Sequence, residues 1–244
     1  MSIPKVIHYC WFGKGKLPKI SKKCIKSWKK YCPDYEIICW NEDNFDITQN
    51  RYMREAYEAK KWAFVSDFAR LKVIYDHGGI YMDTDVEILK PIDDLLETKG
   101  FMGFDEKGLM STGLGFGAEK GNKIVGEFLK SYEDIPFVLP DGTYDLTPCP
   151  DRNTEDLKRL GMDVTNTSQT FMDVVFLPED HLCPMNYYTG KKKITENTRT
   201  IHHYYGSWTS DITKRTTFVK RLIGLKLYNK LYGKFLHKCK WLEW

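Results

Sequence analysis

Two carboxylates, Asp83 and Asp85, stand one residue apart at the end of the segment GGIYMDTD, which covers residues 78–85. The paired glycines favour the end of a helix, and the apolar residues after them predict a strand. The end of that strand would present both carboxylates at the crevice beyond the sheet, on one face because side chains alternate. Adjacent carboxylates repel each other, so the pair favours a Mg²⁺ or Mn²⁺ ion bound with substrate phosphates over the solvated turn that Asp-x-Asp often marks.

A second pair of charges, Asp67 and Arg70, lies on the helix predicted just before this strand. Three residues apart, the two side chains face the same way beside an apolar surface. A structural ion pair is one interpretation of that spacing. Because the helix runs directly into the strand that carries Asp83, its inner face is expected near the same crevice, which favours a functional role.

Further candidate ligands lie near both ends of the chain. Adjacent residues of a strand point to opposite faces, so one of His202 and His203 can enter a shared site and offer an imidazole to Mn²⁺. The Ser207 hydroxyl and the Trp208 indole N–H are donors suited to a phosphate oxygen. Trp11, at the end of the first predicted strand, can stack on a base. For the histidines and tryptophans, packing in the core is the alternative interpretation.

Composition restricts the class of protein. The 244 residues suffice for one large domain with a small appendage, and 42% of them are hydrophobic. Seven scattered cysteines without a Cys-x-x-Cys pair support neither a zinc knuckle nor a disulfide framework, so a reducing, cytoplasmic setting is expected. The sequence shows no signal-peptide pattern and no apolar run long enough to span a membrane.

The charge is unevenly distributed. Residues 212–244 carry nine Lys and Arg against one Glu, whereas the rest of the chain is mildly acidic. Apolar residues at helical spacing from Phe218 to Leu242 predict a basic amphipathic helix, which either lies on an anionic membrane or packs on the body. We therefore expect a catalytic domain over 1–211 and a basic tail over 212–244, with the protein peripheral on the inner face of the cytoplasmic membrane.

Strands alternating with helices indicate an α/β domain. The stretch from Pro136 to Pro150, rich in Pro, Gly and Asp, predicts a loop or lid. The predicted strands cover 3–12, 35–40, the segment ending in Asp83 and Asp85, 86–89, 101–104, 114–118, 174–177 and 198–203. The predicted helices cover 19–31, 51–76 with a break, and 121–132.

Four blocks occur together and in order along the chain. They are IPKVIHYCWFG at 3–13, AFVSDFAR at 63–70, GGIYMDTD at 78–85, and the two histidines followed by Ser207-Trp208. This set resembles the DXD-containing sugar transferases of glycosyltransferase family 32. The family takes in initiating mannosyltransferases and bacterial capsular polysaccharide transferases, and clostridial glucosylating toxin domains are similar to it.

The resemblance implies a GT-A fold with a mixed central sheet, a helical or irregular acceptor-side insertion and a basic C-terminal helix. It implies Mn²⁺ or Mg²⁺ and a nucleotide-diphosphate hexose as donor, with UDP favoured over GDP. The acceptor would be a hydroxyl of a glycan or lipid-linked glycan, in synthesis of a bacterial surface polysaccharide. No nucleic-acid partner is expected.

The resemblance also assigns roles by position. Trp11 would stack on the base, Asp67 and Arg70 would hold sugar hydroxyls, and Ser207 and Trp208 would bind the β-phosphate. The implied metal ligands are Asp83, Asp85 and His203. The implied donor-binding residues are Trp11, Asp67, Arg70, Tyr81, Asp83, Ser207 and Trp208. The implied catalytic residues are Asp67, Arg70, Asp83 and Asp85.

Such enzymes transfer the sugar with retention of configuration. The sequence offers no clear nucleophile for a double displacement, so front-face attack by the acceptor hydroxyl is the working hypothesis. Two other classes remain open. One is a haloacid-dehalogenase-like phosphatase, although Glu87 stands where that family usually has Thr or Val. The other is a non-catalytic protein that binds sugar nucleotides or a membrane surface.

Overall fold

The structure is a computed structural model that describes residues 3–206 and residues 216, 219, 220, 222, 224, 228 and 230. Its strands are β1 (Val6–Cys10), β2 (Glu36–Trp40), β3 (Gly79–Tyr81), β4 (Val86–Ile88), β5 (Gly100–Gly103), β6 (Phe116–Ala118), β7 (Gln169–Phe171), β8 (Val174–Leu177) and β9 (Thr200–His202). Its named helices are α1 (Lys19–Tyr31), α2 (Arg51–Glu58), α3 (Trp62–His77), α4 (Lys123–Lys130), α5 (Cys149–Arg159) and α6 (Glu179–Leu182). Among these residues, no helix combines the length and apolar character needed to cross a bilayer.

Seven strands form a mixed sheet in the order β2-β1-β3-β6-β5-β8-β7. The pairs β1–β2, β1–β3 and β5–β8 are parallel, whereas β6 runs antiparallel to both β3 and β5. β4 and β9 form a separate two-stranded antiparallel ribbon. The predicted α/β fold with a mixed central sheet is therefore confirmed.

Apolar clusters cover both faces of the sheet. The larger one includes buried residues of α2, α3, α4 and α5. The smaller one includes Cys24 and Trp28 of α1 with residues of β3 and β4. Trp28 is fully buried, and its indole N–H donates to the Val86 carbonyl at 2.7 Å, so α1 is fastened directly to β4.

Most of the predicted elements are confirmed, and α1 begins and ends at the predicted residues. The break expected within residues 51–76 falls between α2 and α3. One local prediction is wrong, because β3 ends at Tyr81 and the two carboxylates lie in the turn that follows. The Val86 amide donates to the Asp83 carbonyl at 3.0 Å, and this turn brings Asp83 and Asp85 together without a strand.

The paired glycines end α3 as predicted. Gly78 caps the helix at φ +71°, its amide donating to the Ile74 carbonyl, and Gly79 follows at φ +106°. Both values lie in the region that favours glycine. A Cβ on Gly79 would also meet the His8 imidazole at 2.8 Å. The helix can therefore turn into β3 only where side chains are absent.

His8 fastens this turn from the neighbouring strand. The Trp40 indole N–H donates to His8 Nδ1 at 3.0 Å, which leaves His8 Nε2–H to donate to the Gly78 carbonyl at 3.0 Å. Burial lowers the pKa of His8 to about 4, against the opposing effect of the Gly78 hydrogen bond. The imidazole is therefore neutral in the folded protein at neutral pH.

This burial makes the free energy of unfolding depend on pH. An unfolded histidine has a pKa of about 6.5, so between pH 6.5 and about 4 the unfolded chain binds a proton that the folded chain does not. Stability from His8 is complete above pH 6.5 and falls by roughly 3 kcal/mol as the pH drops to 4. Urea unfolding across this range, with His8→Gln as control, measures the effect. Parallel loss of stability in both proteins would contradict it.

Candidate metal and donor-sugar site

The β4–β9 ribbon places His202 beside Asp85. Val86 pairs with His202 in the antiparallel register, so the residue before β4 faces the end of β9. His202 Nε2 lies 3.1 Å from Asp85 Oδ1. Ligand atoms of Asp83, Asp85 and His202 all lie within 4.8 Å of one another. We call these three side chains the metal cluster because together they could bind an ion.

The chain after β9 wraps around Asp85. The His203 amide donates to the Asp85 carbonyl at 3.0 Å, and the Tyr205 amide donates to Asp85 Oδ2 at 2.8 Å. Tyr204, between them, has a left-handed φ of +49°, and its ring packs edge-on against His202 with centroids 4.3 Å apart. Asp85 is therefore held from both its backbone and its side chain.

These contacts set the protonation of the pair. Burial opposes ionisation of Asp85, but the charge and hydrogen bond of His202 outweigh it and lower the pKa of Asp85 to about 2. Burial likewise disfavours the charged form of His202, and attraction to Asp85 outweighs it and raises the pKa of the imidazole. Asp85 is therefore ionised at neutral pH, as a metal-binding carboxylate must be.

The choice of His203 as the third member of the cluster is corrected by this geometry. His203 Nε2 lies 2.8 Å from Glu87 Oε2, and Glu87 also accepts from Lys23 at 2.9 Å. Adjacent residues at the end of a strand diverge, and the β4–β9 register directs His202 to Asp85 and leaves His203 beside Glu87.

Arg70 joins the metal cluster to α3. Its Nη2 lies 3.0 Å from Asp67 Oδ1 and 3.3 Å from Asp83 Oδ1. The Tyr81 hydroxyl donates to Asp83 Oδ1 at 3.0 Å, and the guanidinium lies over the Tyr81 ring. The predicted residues Asp67, Arg70, Tyr81 and Asp83 therefore converge on one site.

The charges around Arg70 are buried. The Arg70 side chain is 4% exposed and the Asp67 side chain 8%. Burial raises the pKa of Asp67 to about 6 and also raises the pKa of Asp83, although Arg70 opposes both shifts. One guanidinium is thus shared between two carboxylates in a poorly solvated place, and this arrangement fixes their positions.

The loop before β6 closes over this group. A Cβ on Gly113 would lie 2.6 Å from Asp83 Oδ2 and 3.1 Å from Arg70 Nη1. Thr112 contacts Cys149 and Asn153 of α5, and Cys149 in turn contacts Arg70. The loop and the start of α5 therefore form the wall opposite α3.

The metal cluster suits a divalent cation. Mn²⁺ binds both carboxylate and imidazole ligands, so all three side chains suit it. Mg²⁺ prefers oxygen ligands, so the two carboxylates suit it best. His202 Nδ1 is buried and has no hydrogen-bond partner among the described residues. The nitrogen that faces the cluster is Nε2, beside Asp85, so the agreement with a site for a divalent ion rests on the donor set of two carboxylates and one imidazole.

Comparison with known proteins finds a family similarity in this region. Residues 18–102 match the family model described as glycosyltransferase sugar-binding region containing DXD motif. This segment is similar to that region. It includes Asp67, Arg70, Tyr81, Asp83 and Asp85, which are the residues that the fold brings together.

Curated relatives share this DXD region. Inositol phosphoceramide mannosyltransferase 1 of Schizosaccharomyces pombe is 30% identical over 111 residues, covering 41% of this chain and 33% of the relative. Inositol phosphoceramide mannosyltransferase 3 of the same yeast is 31% identical over 103 residues, covering 39% and 28%. The matches span about a third of the length of these relatives. Among solved structures, PaToxG glycosyltransferase aligns with a TM-score of 0.47 at 20% identity, covering 65% of this chain and 70% of that one.

The structure does not test the roles of three residues that were predicted to bind the donor. Ser207 and Trp208 lie outside the described residues, as does most of the basic tail over 212–244, so their roles stay predictions. Trp11 is partly exposed just beyond β1, and its indole N–H donates to the Gly15 carbonyl at 2.6 Å. No contact joins Trp11 to Arg70 or Asp85 in the described part of the chain, and stacking on a base stays a prediction.

Several residues of the DXD site were not found from the sequence. Thr112, Gly113, Cys149 and Asn153 come from segments without a strong motif, and α5 itself was not predicted. The small residues of Ser111-Thr112-Gly113 were the available signal, because glycine in a buried segment often marks close approach of another group. Tyr205 acts through its backbone amide, which no side-chain pattern reveals.

Gly113→Ala is expected to reduce donor binding more than stability. The added Cβ would overlap Asp83 Oδ2 and displace the carboxylate and the guanidinium beside it. We expect a loss of about tenfold to 100-fold in donor affinity, comparable to the effect of disturbing groups that orient metal ligands. Calorimetric titration of the donor measures it, with Gly142→Ala as control because open space surrounds Gly142. Since Gly142 has a positive φ, the control is compared for donor affinity alone.

Proposed function

We propose that the chain is a metal-dependent glycosyltransferase that moves a hexose from a nucleotide-diphosphate sugar to a hydroxyl of a glycan or lipid-linked acceptor. The observation that carries the proposal is the buried Arg70, which holds Asp67 and Asp83 next to the Asp85–His202 pair. All of these residues except His202 lie in the segment matched by the family model. In this proposal they offer groups for sugar hydroxyls and ligands for a diphosphate-bound cation.

Asp83, Asp85 and His202 would hold the Mn²⁺ or Mg²⁺ ion. When bound, such an ion neutralises negative charge on the diphosphate leaving group as a Lewis acid. The protein contributes by fixing the ligands in advance. Asp85 is ionised and anchored by the Tyr205 amide, and Asp83 is held by Tyr81 and Arg70.

In this proposal, Asp67 is the residue that meets the sugar. Arg70 pairs with one Asp67 oxygen from the neighbouring turn of α3 and so orients the carboxylate, which would accept from sugar hydroxyls. As the bond to the diphosphate breaks, positive charge grows on the sugar ring, and a nearby carboxylate stabilises it. Burial of the group keeps water away from the reacting carbon and strengthens these interactions.

We infer transfer with retention by front-face attack, in which the departing phosphate oxygen takes the proton of the acceptor hydroxyl. The Arg70 guanidinium pairs with both Asp67 and Asp83. This pairing disfavours either carboxylate as a covalent nucleophile. Mass spectrometry of the enzyme after incubation with donor tests this inference. A stable covalent glycosyl-enzyme would overturn it.

The donor and the cellular role are parts of the same proposal. The names of the yeast relatives make mannose the first sugar to test, while the resemblance to glycosyltransferase family 32 favours a UDP-linked over a GDP-linked donor. Synthesis of a bacterial surface polysaccharide, on the cytoplasmic side of the membrane, is the role that we propose. We propose that the basic tail contacts the membrane. Sedimentation of a chain truncated after Asp211 with anionic vesicles tests this contact.

A screen of UDP- and GDP-hexoses for hydrolysis tests the function. Release of nucleotide diphosphate from one donor in the presence of Mn²⁺, lost on chelation, is the expected result. Phosphate release from simple phosphomonoesters, without release from any nucleotide sugar, would instead identify a phosphatase. Donor binding by calorimetry without turnover, even with sugar acceptors added, would indicate a binding protein.

A further inference from the structure

The outer face of α1 is a continuous row of lysines. At about 100° per residue, its six lysines fall within an arc of about 120° over a length of about 17 Å. All six are exposed, whereas Cys24 and Trp28 on the opposite face are buried. We call this set the α1 lysine row; its members are Lys19, Lys22, Lys23, Lys26, Lys29 and Lys30.

The positive charge of the row is largely unbalanced. α1 contains no acidic residue. Lys23 pairs with Glu87 at 2.9 Å, and no other member of the row lies within ion-pair distance of a carboxylate in the part of the chain that the structure describes. The Lys30 ammonium lies over the Tyr31 ring. Packing gives no reason for the charges of Lys19, Lys22, Lys26 and Lys29, which are exposed. Exposed charges of this kind contribute to solubility. Binding of an anionic partner would give the row a further role.

A groove runs along the row. It has a volume of about 480 Å³, and Lys23, Lys26, Lys29 and Lys30 lie on one side of it. Ile88 and Leu89, at the end of β4, contribute apolar atoms to its lining. Lysine stems pack along apolar surface while their ammonium groups reach outward, so groove and row together form a face that is basic at its edge and partly apolar beneath.

The shape and residue types of this face fit lipid phosphates better than nucleic acid. Lysines without arginine act as point charges, which bind phosphates without the fork geometry that reads bases. The Trp28 ring of α1 is buried, so it offers no platform for base stacking. A row as long as the helix matches the many phosphates that a bilayer presents at once.

We propose that the α1 lysine row docks the protein on a membrane surface rich in anionic phospholipids. Ser27 Oγ accepts from the Ile88 amide at 2.9 Å, and Trp28 bonds Val86, so the docking helix is fixed to the strand that follows Asp85. Docking would therefore hold the metal cluster close to the bilayer, where a lipid-linked acceptor lies. The docking itself does not depend on the proposed transfer reaction.

Vesicle sedimentation of the full chain tests the proposal. The variant Lys22→Gln/Lys26→Gln/Lys29→Gln removes three charges that have no ion-pair partner among the described residues. The matched control, Lys60→Gln/Lys120→Gln/Lys123→Gln, likewise removes three exposed charges that have no ion-pair partner in the described part of the chain. They lie next to or on α2 and α4, which pack on the other face of the sheet. The vesicles are phosphatidylcholine with phosphatidylglycerol, compared with pure phosphatidylcholine.

The row variant is expected to partition about 100-fold more weakly into the anionic vesicles, from about fivefold for each lysine lost. The control is expected to bind like the unmodified chain, and added salt to weaken binding in both. Equal binding by the row variant and the control would overturn the proposal. So would binding to pure phosphatidylcholine, or binding of double-stranded DNA that the row variant loses while vesicle binding is unchanged.

Discussion

Asp85→Asn is expected to abolish Mn²⁺ binding at micromolar concentrations and to lower the rate of donor hydrolysis by about 1,000-fold. The substitution keeps the shape of the side chain and an oxygen that can accept from the Tyr205 amide at the position where Asp85 now accepts at 2.8 Å. It removes the negative charge that both the cation and His202 require. Calorimetric Mn²⁺ titration and release of nucleotide diphosphate measure the two losses separately.

Asp163→Asn is a suitable control for Asp85→Asn because it is exposed and distant in sequence from the site. It should match the unmodified enzyme in both measurements. Mn²⁺ affinity and turnover that are unchanged in Asp85→Asn would show that the metal cluster is not the functional metal site.

Arg70→Met is expected to reduce stability as well as activity. The substitution leaves the buried Asp67 and the partly exposed Asp83 without their shared cation, and breaking a buried ion pair from one side costs about 3–5 kcal/mol of unfolding free energy. Donor hydrolysis should fall below detection, because the guanidinium that orients both carboxylates is gone. Urea unfolding and the hydrolysis assay measure the two effects.

A double variant separates the two roles of Arg70. Asp67→Asn/Arg70→Met removes one buried charge of each sign and should recover part of the lost stability while remaining inactive. A variant that recovers stability and activity together would show that Arg70 serves the fold alone. Arg70→Lys, which keeps the charge but not the planar fork, should be intermediate in stability.

The sequence predicted correctly the features that depend on residues close together in the chain. The boundaries of α1 follow from apolar residues at helical spacing opposite lysines, and the end of α3 follows from Gly78 and Gly79. The convergence of Asp67 and Arg70 on Asp83 followed from one helix running straight into one strand. In each case the residues involved lie within about 20 positions of one another.

The register between strands that are far apart in the sequence could not be predicted from local patterns. The choice between His202 and His203 depends on the pairing of Val86 with His202, residues more than 100 positions apart. A shift of one residue would reverse which imidazole meets Asp85, and no local pattern specifies it. The approach of Gly113 and Cys149 to the Arg70 group likewise depends on how the loop before β6 and α5 pack together.

The metal site is tested most directly by comparing His202→Ala with His203→Ala in Mn²⁺-dependent hydrolysis of the nucleotide sugar that the donor screen selects. The unmodified enzyme and His203→Ala are expected to release nucleotide diphosphate and His202→Ala is not. Chelation is expected to stop release in both active proteins. Activity in His202→Ala with loss in His203→Ala, or hydrolysis that is indifferent to chelation, would contradict the assignment of Asp83, Asp85 and His202 as the metal site of a glycosyltransferase.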